Sequence, residues 1–274
     1  MVRTHGDADA NIPRRGVYLL PNILTSASLF SGFYGIIAAV KEDYTAASLA
    51  ILISFVFDGL DGRVARLTRT TSRFGVEYDS LSDLVAFGVT PAILAYMWGL
   101  QGYGRLGWLA AFLFVATTAL RLARFNTLSH SGSGGGKGYF LGLPCPSAAG
   151  TVATAVLLCQ HFGIYGEVRH VAVLVMVYGL SFLMVSTVRY YGFKDVQWFQ
   201  RHPFSGMVAL IFGMIVIATE PRVTLFLLAA AYVMSGPVWL SFHALTGPAG
   251  AWTRRRRENA PGIISDAGER QDHE

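Results

Sequence analysis

Eight apolar stretches, each near the length that crosses a bilayer, constrain this chain more than any other feature. They run approximately over Tyr18–Val40, Ala46–Val64, Ser80–Leu100, Leu106–Leu122, Ser147–Ile164, Val171–Val188, Gly206–Thr219 and Val223–Leu245. A helix needs about 20 apolar residues to cross the hydrocarbon core, and backbone groups in lipid must be satisfied within the segment. These stretches predict an all-α polytopic membrane protein of about eight transmembrane helices. Composition agrees. The 274 residues are 53% hydrophobic and 14% charged, with mean hydropathy +0.43, whereas soluble domains carry about a quarter charged residues. We read residues 17–245 as one membrane domain, 1–16 as a polar N-terminal segment, and 246–274 as a basic and then polar tail.

An even number of spans puts both termini on one side, and the basic residues say which. Of the 22 lysines and arginines, Lys41, Arg105, Arg169 and Arg222 fall on the far side and the rest on the side of the termini. Cytoplasmic loops carry the excess of positive charge. The expectation is a multi-pass protein of the cell's cytoplasmic membrane with both termini in the cytoplasm. The same bias accounts for the net charge of +5 without a nucleic-acid partner. Arg254–Arg257 reads as a juxtamembrane cluster, each cation gaining about 1 kcal/mol beside anionic lipid. No cleavable signal sequence is expected in the polar first fifteen residues. Cys145 and Cys159 lie in or beside apolar stretches without metal-ligand spacing and read as small buried hydrophobes. His130, His161, His170, His202 and His243 are scattered without ligand spacing. Ser131–Gly138 lacks the spacing of a phosphate-binding loop and reads as a flexible connection.

The segment with chemical content is FDGLDGRVARLTRTTSRFGVEYDSLSD, residues 57–83. Asp58 and Asp61 are three apart and Asp79 and Asp83 four apart, so each pair shares a helical face. Spans two and three are antiparallel neighbours joined by a short basic connection, which lets four carboxylates converge near the inner interface. Carboxylates at membrane depth are costly unless compensated. Arg63, Arg66, Arg69 or Arg73 could pair with them, or divalent cations could bind between them. One or two carboxylates per ion plus phosphate oxygens is the usual Mg²⁺ arrangement. Gly59, Gly62 and Gly75 let a ligand approach the backbone. Together these residues describe a diphosphate–metal site facing the cytoplasm.

The spacing Asp58-x-x-Asp61-Gly62-x-x-Ala65-Arg66, eight residues, then Gly75-x-x-x-Asp79-x-x-x-Asp83 resembles the signature of the CDP-alcohol phosphotransferase family at each of its defining positions. Further segments resemble its bacterial and archaeal CDP-diacylglycerol–serine O-phosphatidyltransferase branch. They are Leu20-Pro21-Asn22, the run from Asp79 to Ala92, Arg121-Leu122-Ala123-Arg124-Phe125-Asn126, Gly142-Leu143-Pro144-Cys145-Pro146, and the run from Leu183 to Tyr190. The resemblance covers roughly residues 17–200.

That resemblance implies attack of the L-serine hydroxyl on the phosphorus next to diacylglycerol in CDP-diacylglycerol, with release of CMP. It implies two Mg²⁺ or Mn²⁺ ions held by Asp58, Asp61, Asp79 and Asp83, with Asp83 doubling as the general base. Asn22, Thr25, Asp61, Gly62, Ala65, Arg66 and Gly75 are expected to bind the CDP moiety. Serine's carboxylate calls for a cation, and Arg121, Arg124, Arg189 and Lys194 are candidates. Arg124, with Phe125 and Asn126, is the first choice because the resemblance there is specific to the serine enzymes, and arginine suits carboxylate geometry better than Lys194 does. The expected partners are CDP-diacylglycerol, L-serine and membrane lipid, and the family resemblance implies a homodimer. Two competing readings remain. A sibling enzyme would use glycerol 3-phosphate, inositol phosphate or choline. A divalent-cation transporter would use the aspartates for permeation, but that leaves the glycines and Arg66 without a purpose.

Overall fold

The computed structural model of the protein describes residues 19–68, 70, 72–130, 139–164, 171–191 and 203–246. It is helical but for one short strand pair, and each of the eight apolar stretches falls on a helix. In chain order these begin with α1 (Leu19–Val40) and α2 (Tyr44–Thr68). A composite helix, Arg73–Tyr103, follows: α3 (Arg73–Asp83), a π-helical segment (Leu84–Val89), α4 (Thr90–Ala95), a second π segment (Tyr96–Leu100) and a closing 3-10 turn. Then come α5 (Arg105–His130), β1 (Tyr139–Leu141), α6 (Cys145–His161), α7 (Val171–Val185), β2 (Arg189–Tyr191), α8 (Pro203–Thr219) and α9 (Pro221–Thr246). Among the described residues, five helices are long and apolar enough to cross a membrane: Leu19–Val40, Tyr44–Thr68, Arg73–Tyr103, Arg105–Leu128 and Pro221–Ser241. The α7 helix is apolar but, at 15 residues, shorter.

Side-chain distribution identifies the solvent. The interior is rich in small residues, including Ala39, Ala47, Ala86, Ala95, Ala110, Ala148 and Ala153, with Phe87, Leu94, Trp98 and Phe114 filling the gaps. Large apolar residues such as Phe30, Phe33, Phe112 and Phe182 face outward. A soluble protein would bury them; a bilayer receives them, and helices there associate through close packing of small residues. The protein is integral to a membrane.

The tightest association joins α1, α2 and the composite helix. A Cβ on Gly32 would lie 2.8 Å from Ala86 Cα, and one on Gly35 would lie 2.8 Å from Thr90 Cγ2 and 3.2 Å from Ala50 Cβ. At Gly32 the close atom is backbone, so glycine is required there, whereas at Gly35 side chains of both neighbouring helices fill the space a Cβ would take. Hydroxyls stitch the same contact. Ser28 donates to Ser54 O (3.2 Å), Ser54 to Ser28 O (2.8 Å), Ser31 to Ala50 O (2.8 Å) and Thr90 to Gly32 O (2.9 Å). Such interhelical bonds contribute about 0.6 kcal/mol each on average. Thr90 also donates to Val85 O at 2.9 Å.

Pro91 does not end its helix. Its ring lacks an N–H and crowds the preceding turn, and the chain absorbs this by widening into the π segment just upstream. Pro144 does mark a boundary, as the cap of α6, with Pro146 in its first turn. The pairing of β1 with β2 was not anticipated. It is antiparallel, sets Tyr139 opposite Tyr191 and Leu141 opposite Arg189, and draws the segments before α6 and after α7 together. Up to Pro237 the chain forms one compact unit, and a second begins at Val238 within α9.

Candidate active site

The site begins with a helix that runs longer than its apolar stretch. The α2 helix continues to Thr68, so Asp58, Asp61, Arg63 and Arg66 stand on its final turns, not in a loop. Thr70 N donates to Ala65 O at 3.1 Å and closes the helix. Ser72 then caps α3, its Oγ accepting from Gly75 N at 2.9 Å. The connection between the two helices is therefore only residues 69–72, and α3 returns beside α2 at once. That tight return brings Asp79 against Asp58 and Asp61.

Asp58, Asp61 and Asp79 each offer an oxygen within 4.8 Å of the others. Asp83, one turn beyond Asp79, interacts directly with the Asp58 carboxyl group. Thr25 of α1 donates to Asp61 Oδ2 at 2.7 Å and also to Pro21 O at 3.1 Å, while Ser82 donates to Thr25 O at 3.1 Å. All three helices thus fix the position of one carboxylate. Among the described residues no arginine neutralises the cluster. Among the described residues the ion pair found is His161 with Glu220 (3.9 Å), far from this group in sequence, and no arginine comes within pairing distance of the four aspartates. Arg66 acts on Asp61 through its field only. Asp79 Oδ1 is buried without a hydrogen-bond partner. Converging hard oxygen donors, no paired cation and an orphaned buried oxygen fit a divalent metal.

A cleft opens directly onto this cluster. Its walls are Pro21, Asn22 and Thr25 from α1, then Asp61, Gly62, Ala65 and Arg66 from α2. The turn and α3 supply Thr70, Ser72, Gly75, Val76 and Asp79. Every residue expected to bind CDP from the sequence lines it. Pro21, Thr70, Ser72 and Val76 were not singled out, although Pro21 lies in the Leu20-Pro21-Asn22 segment and Ser72 has the capping spacing to Gly75. The glycines here differ from those between the helices. A Cβ on Gly62 would meet nothing nearer than Arg66 Nη1 at 3.5 Å, and one on Gly75 would sit 3.1 Å from Ser72 Oγ. Protein packing does not demand glycine at Gly62. Gly59 faces open space and is not part of the wall.

The expected acceptor residues divide. Arg121 is half-buried, and its Nη1 donates to Cys145 Sγ at 3.4 Å. Arg124 and Phe125 are exposed on α5. Asn126 turns to α3, its Nδ2 donating to Ser80 Oγ (3.0 Å) and Glu77 Oε2 (3.3 Å). Arg189 lies in β2. Lys194, the Gly-rich stretch 131–138 and both polar tails lie outside the described residues.

With this geometry in place, comparison identifies the class. The family profile of CDP-alcohol phosphatidyltransferases matches residues 18–185, and the chain belongs to that family. Named relatives narrow it further. A Helicobacter pylori protein named CDP-diacylglycerol–serine O-phosphatidyltransferase is 41% identical over 187 residues, 68% of this chain and 78% of its own. A Mycobacterium leprae protein of the same name is 32% identical over 242 residues, 84% of this chain and 80% of its own. The archaetidylserine synthase of Methanothermobacter thermautotrophicus is 38% identical over 173 residues, 62% of this chain and 69% of its own.

Proposed function

We propose that this protein transfers the phosphatidyl group of CDP-diacylglycerol to L-serine, yielding phosphatidylserine and CMP. The observation that carries the reading is the cleft that opens onto Asp61 and Asp79, on a chain similar to relatives named for the serine reaction. The serine oxygen forms a bond to the phosphorus that bears diacylglycerol, and the bond from that phosphorus to the CMP oxygen breaks. Asp83 takes the hydroxyl proton as the new bond forms. Asp58, Asp61 and Asp79, with Asp83, would hold two Mg²⁺ or Mn²⁺ ions. When bound, these neutralise the diphosphate and stabilise departing CMP. Asn22, Thr25, Asp61, Gly62, Ala65, Arg66 and Gly75 hold the CDP moiety, with Thr25 orienting Asp61. The acceptor carboxylate is received by a cation from the group Arg121, Arg124, Arg189 and Lys194, beside Phe125 and Asn126.

The same reading places the protein in the cytoplasmic membrane as a homodimer of eight-span subunits, with the cleft and both termini facing the cytoplasm. The distribution of basic residues supports that orientation. Ala10→Cys and Ser265→Cys should be labelled from the cytoplasmic side only, and labelling from outside would reverse the topology. For the reaction, CMP release is measured from CDP-diacylglycerol with L-serine, glycerol 3-phosphate, inositol phosphate and choline in turn. Serine should support turnover, and excess EDTA should abolish it. Preference for glycerol 3-phosphate or choline would replace the serine reading, and full turnover in EDTA would remove the metals.

A further inference from the structure

A second polar corner lies at the start of α6, outside the lining of the cleft, and its centre is Arg121. The guanidinium is poorly satisfied. Arg121 Nε is buried without a hydrogen-bond partner, and Nη1 reaches the Cys145 sulfur, a weak acceptor. No carboxylate among the described residues pairs with it. A half-buried cation in this condition is costly and calls for an anion from outside the chain. The Cys145 thiol that Arg121 contacts also lies within the field of Asp83, and both α5 and α6 pack on the helical segment that follows Asp83. Cys145 also opens α6, whose cap Pro144 supplies no side-chain partner to the first turn, and a helix start favours negative charge.

The corner is built rather than incidental. Gly142 has φ 78°, and a Cβ there would strike Met184 O. Its N–H donates to Val188 O at 2.8 Å and Leu143 N donates to Leu183 O at 3.0 Å. These bonds fix where α6 begins. Tyr190 is fully buried, donates to Val233 O at 3.1 Å and packs on Gly236 so closely that a side chain there would collide with its ring. Tyr232, 5.7 Å from the Tyr190 ring, lies within the field of Arg121. The segments 142–146 and 183–190, which the cleft does not use, both buttress this corner.

We propose that Arg121 determines acceptor specificity: its guanidinium receives the carboxylate of the amino acid whose hydroxyl is activated at Asp83. This rests on the serine reading above and narrows it, since Arg124 is exposed one turn further on. The alternative anion is the lipid-linked phosphate of CDP-diacylglycerol, and kinetics separates the two.

The experiment compares L-serine with serinol, which lacks the carboxylate, in wild type, Arg121→Gln and Arg121→Lys. Losing a charge-assisted contact corresponds to roughly ten- to a hundredfold. Arg121→Gln should raise the KM for serine by that factor and leave the KM for CDP-diacylglycerol unchanged. It should also collapse the serine-to-serinol ratio of kcat/KM, a ratio taken within one preparation and so independent of how much enzyme is folded. Arg121→Lys keeps the charge without the planar fork and should lower the ratio part of the way. Should Arg121→Gln fail to accumulate, the Lys variant decides: a lowered ratio supports the assignment and an unchanged one overturns it. A rise confined to the KM for CDP-diacylglycerol overturns it in favour of the phosphate. Wild type that turns over another acceptor and not serine overturns the serine reading itself, a result recognisable without any variant.

Discussion

The same three helices, α1, α2 and the composite helix, build two regions of opposite character. Toward the middle they are sealed: Gly32 and Gly35 meet backbone and side chains across the contact, and Ser28, Ser31, Ser54 and Thr90 spend their hydroxyls on neighbouring carbonyls. Two to four turns along, at the α1 start and the α2 end, they part. Gly62 and Gly75 line a cleft, three aspartates crowd together, and Asp79 keeps an oxygen unpartnered. Small and polar residues are common to both regions. What distinguishes them is what lies opposite: packed protein in one, an open cleft in the other. A glycine or buried polar atom is evidence for a ligand site only where the protein itself does not explain it.

The largest expected break between the regions comes from charge. Asp79→Asn in the open region should lower CMP release by about a hundred- to a thousandfold, the range for losing one preorganised electrostatic group. Helix content and thermal stability in detergent should hold. Ser54→Ala in the sealed region should do the reverse, retaining turnover while losing about 0.6 kcal/mol of stability. Substantial activity in Asp79→Asn would remove that aspartate from the site.

A smaller effect is expected where the regions join. Thr25 belongs to α1 packing through Pro21 O and Ser82, yet its hydroxyl is directed to Asp61. Outer partners of metal ligands contribute roughly ten- to a hundredfold in metal affinity or activity. Thr25→Val should raise the Mg²⁺ or Mn²⁺ concentration needed for half-maximal turnover by such a factor, with the kcat at saturating metal largely recovered. Thr25→Ser, which keeps the hydroxyl, should restore the wild-type metal curve. An unchanged curve in Thr25→Val would assign the threonine to packing alone.

Much of the open region was legible in the sequence because its information is local. The fixed spacing from Asp58 to Asp83 sits on two helices joined by residues 69–72, so helical periodicity alone puts the carboxylates on facing sides. The Arg121 corner was only half legible. Arg121 and Arg124 are both candidates in the sequence, and the resemblance to the serine enzymes around residues 124–126 favours Arg124; an apolar stretch that ends at Leu122 carries no burial signal to tell the two apart. The α5 helix in fact runs to His130, so both arginines stand on it, Arg121 half-buried and Arg124 exposed. The pairing of β1 with β2 left no periodic signal, since three-residue strands are too short to alternate. Tyr190 against Gly236 joins residues that no local pattern connects. Helix existence was legible throughout, whereas the ends of α2, α3 and α5 were not, because polar turns extend them beyond their apolar stretches.

The finest test of the comparison exchanges one hydrogen for a methyl in each region. A Cβ added at Gly32 would come within 2.8 Å of Ala86 Cα and 2.9 Å of Ala86 Cβ. Since backbone is what it meets, the helices must separate, and overpacking of this kind costs about 1–3 kcal/mol. Gly32→Ala should therefore unfold at a lower temperature while the surviving enzyme keeps its KM for CDP-diacylglycerol. At Gly75 the added carbon would meet Ser72 Oγ at 3.1 Å and Asn22 Oδ1 at 3.6 Å, both of them side-chain atoms able to yield. Gly75→Ala should fold with near wild-type stability, because alanine also favours the helix that Gly75 opens. Its methyl would occupy space proposed for the nucleotide, and a pocket mismatched by one carbon loses about tenfold or somewhat more. The KM for CDP-diacylglycerol should rise by that amount, with the KM for serine unchanged. If the two variants behaved alike, both losing stability and neither changing a KM, the cleft at Gly75 would be packing space like that at Gly32, and the nucleotide would have to bind elsewhere.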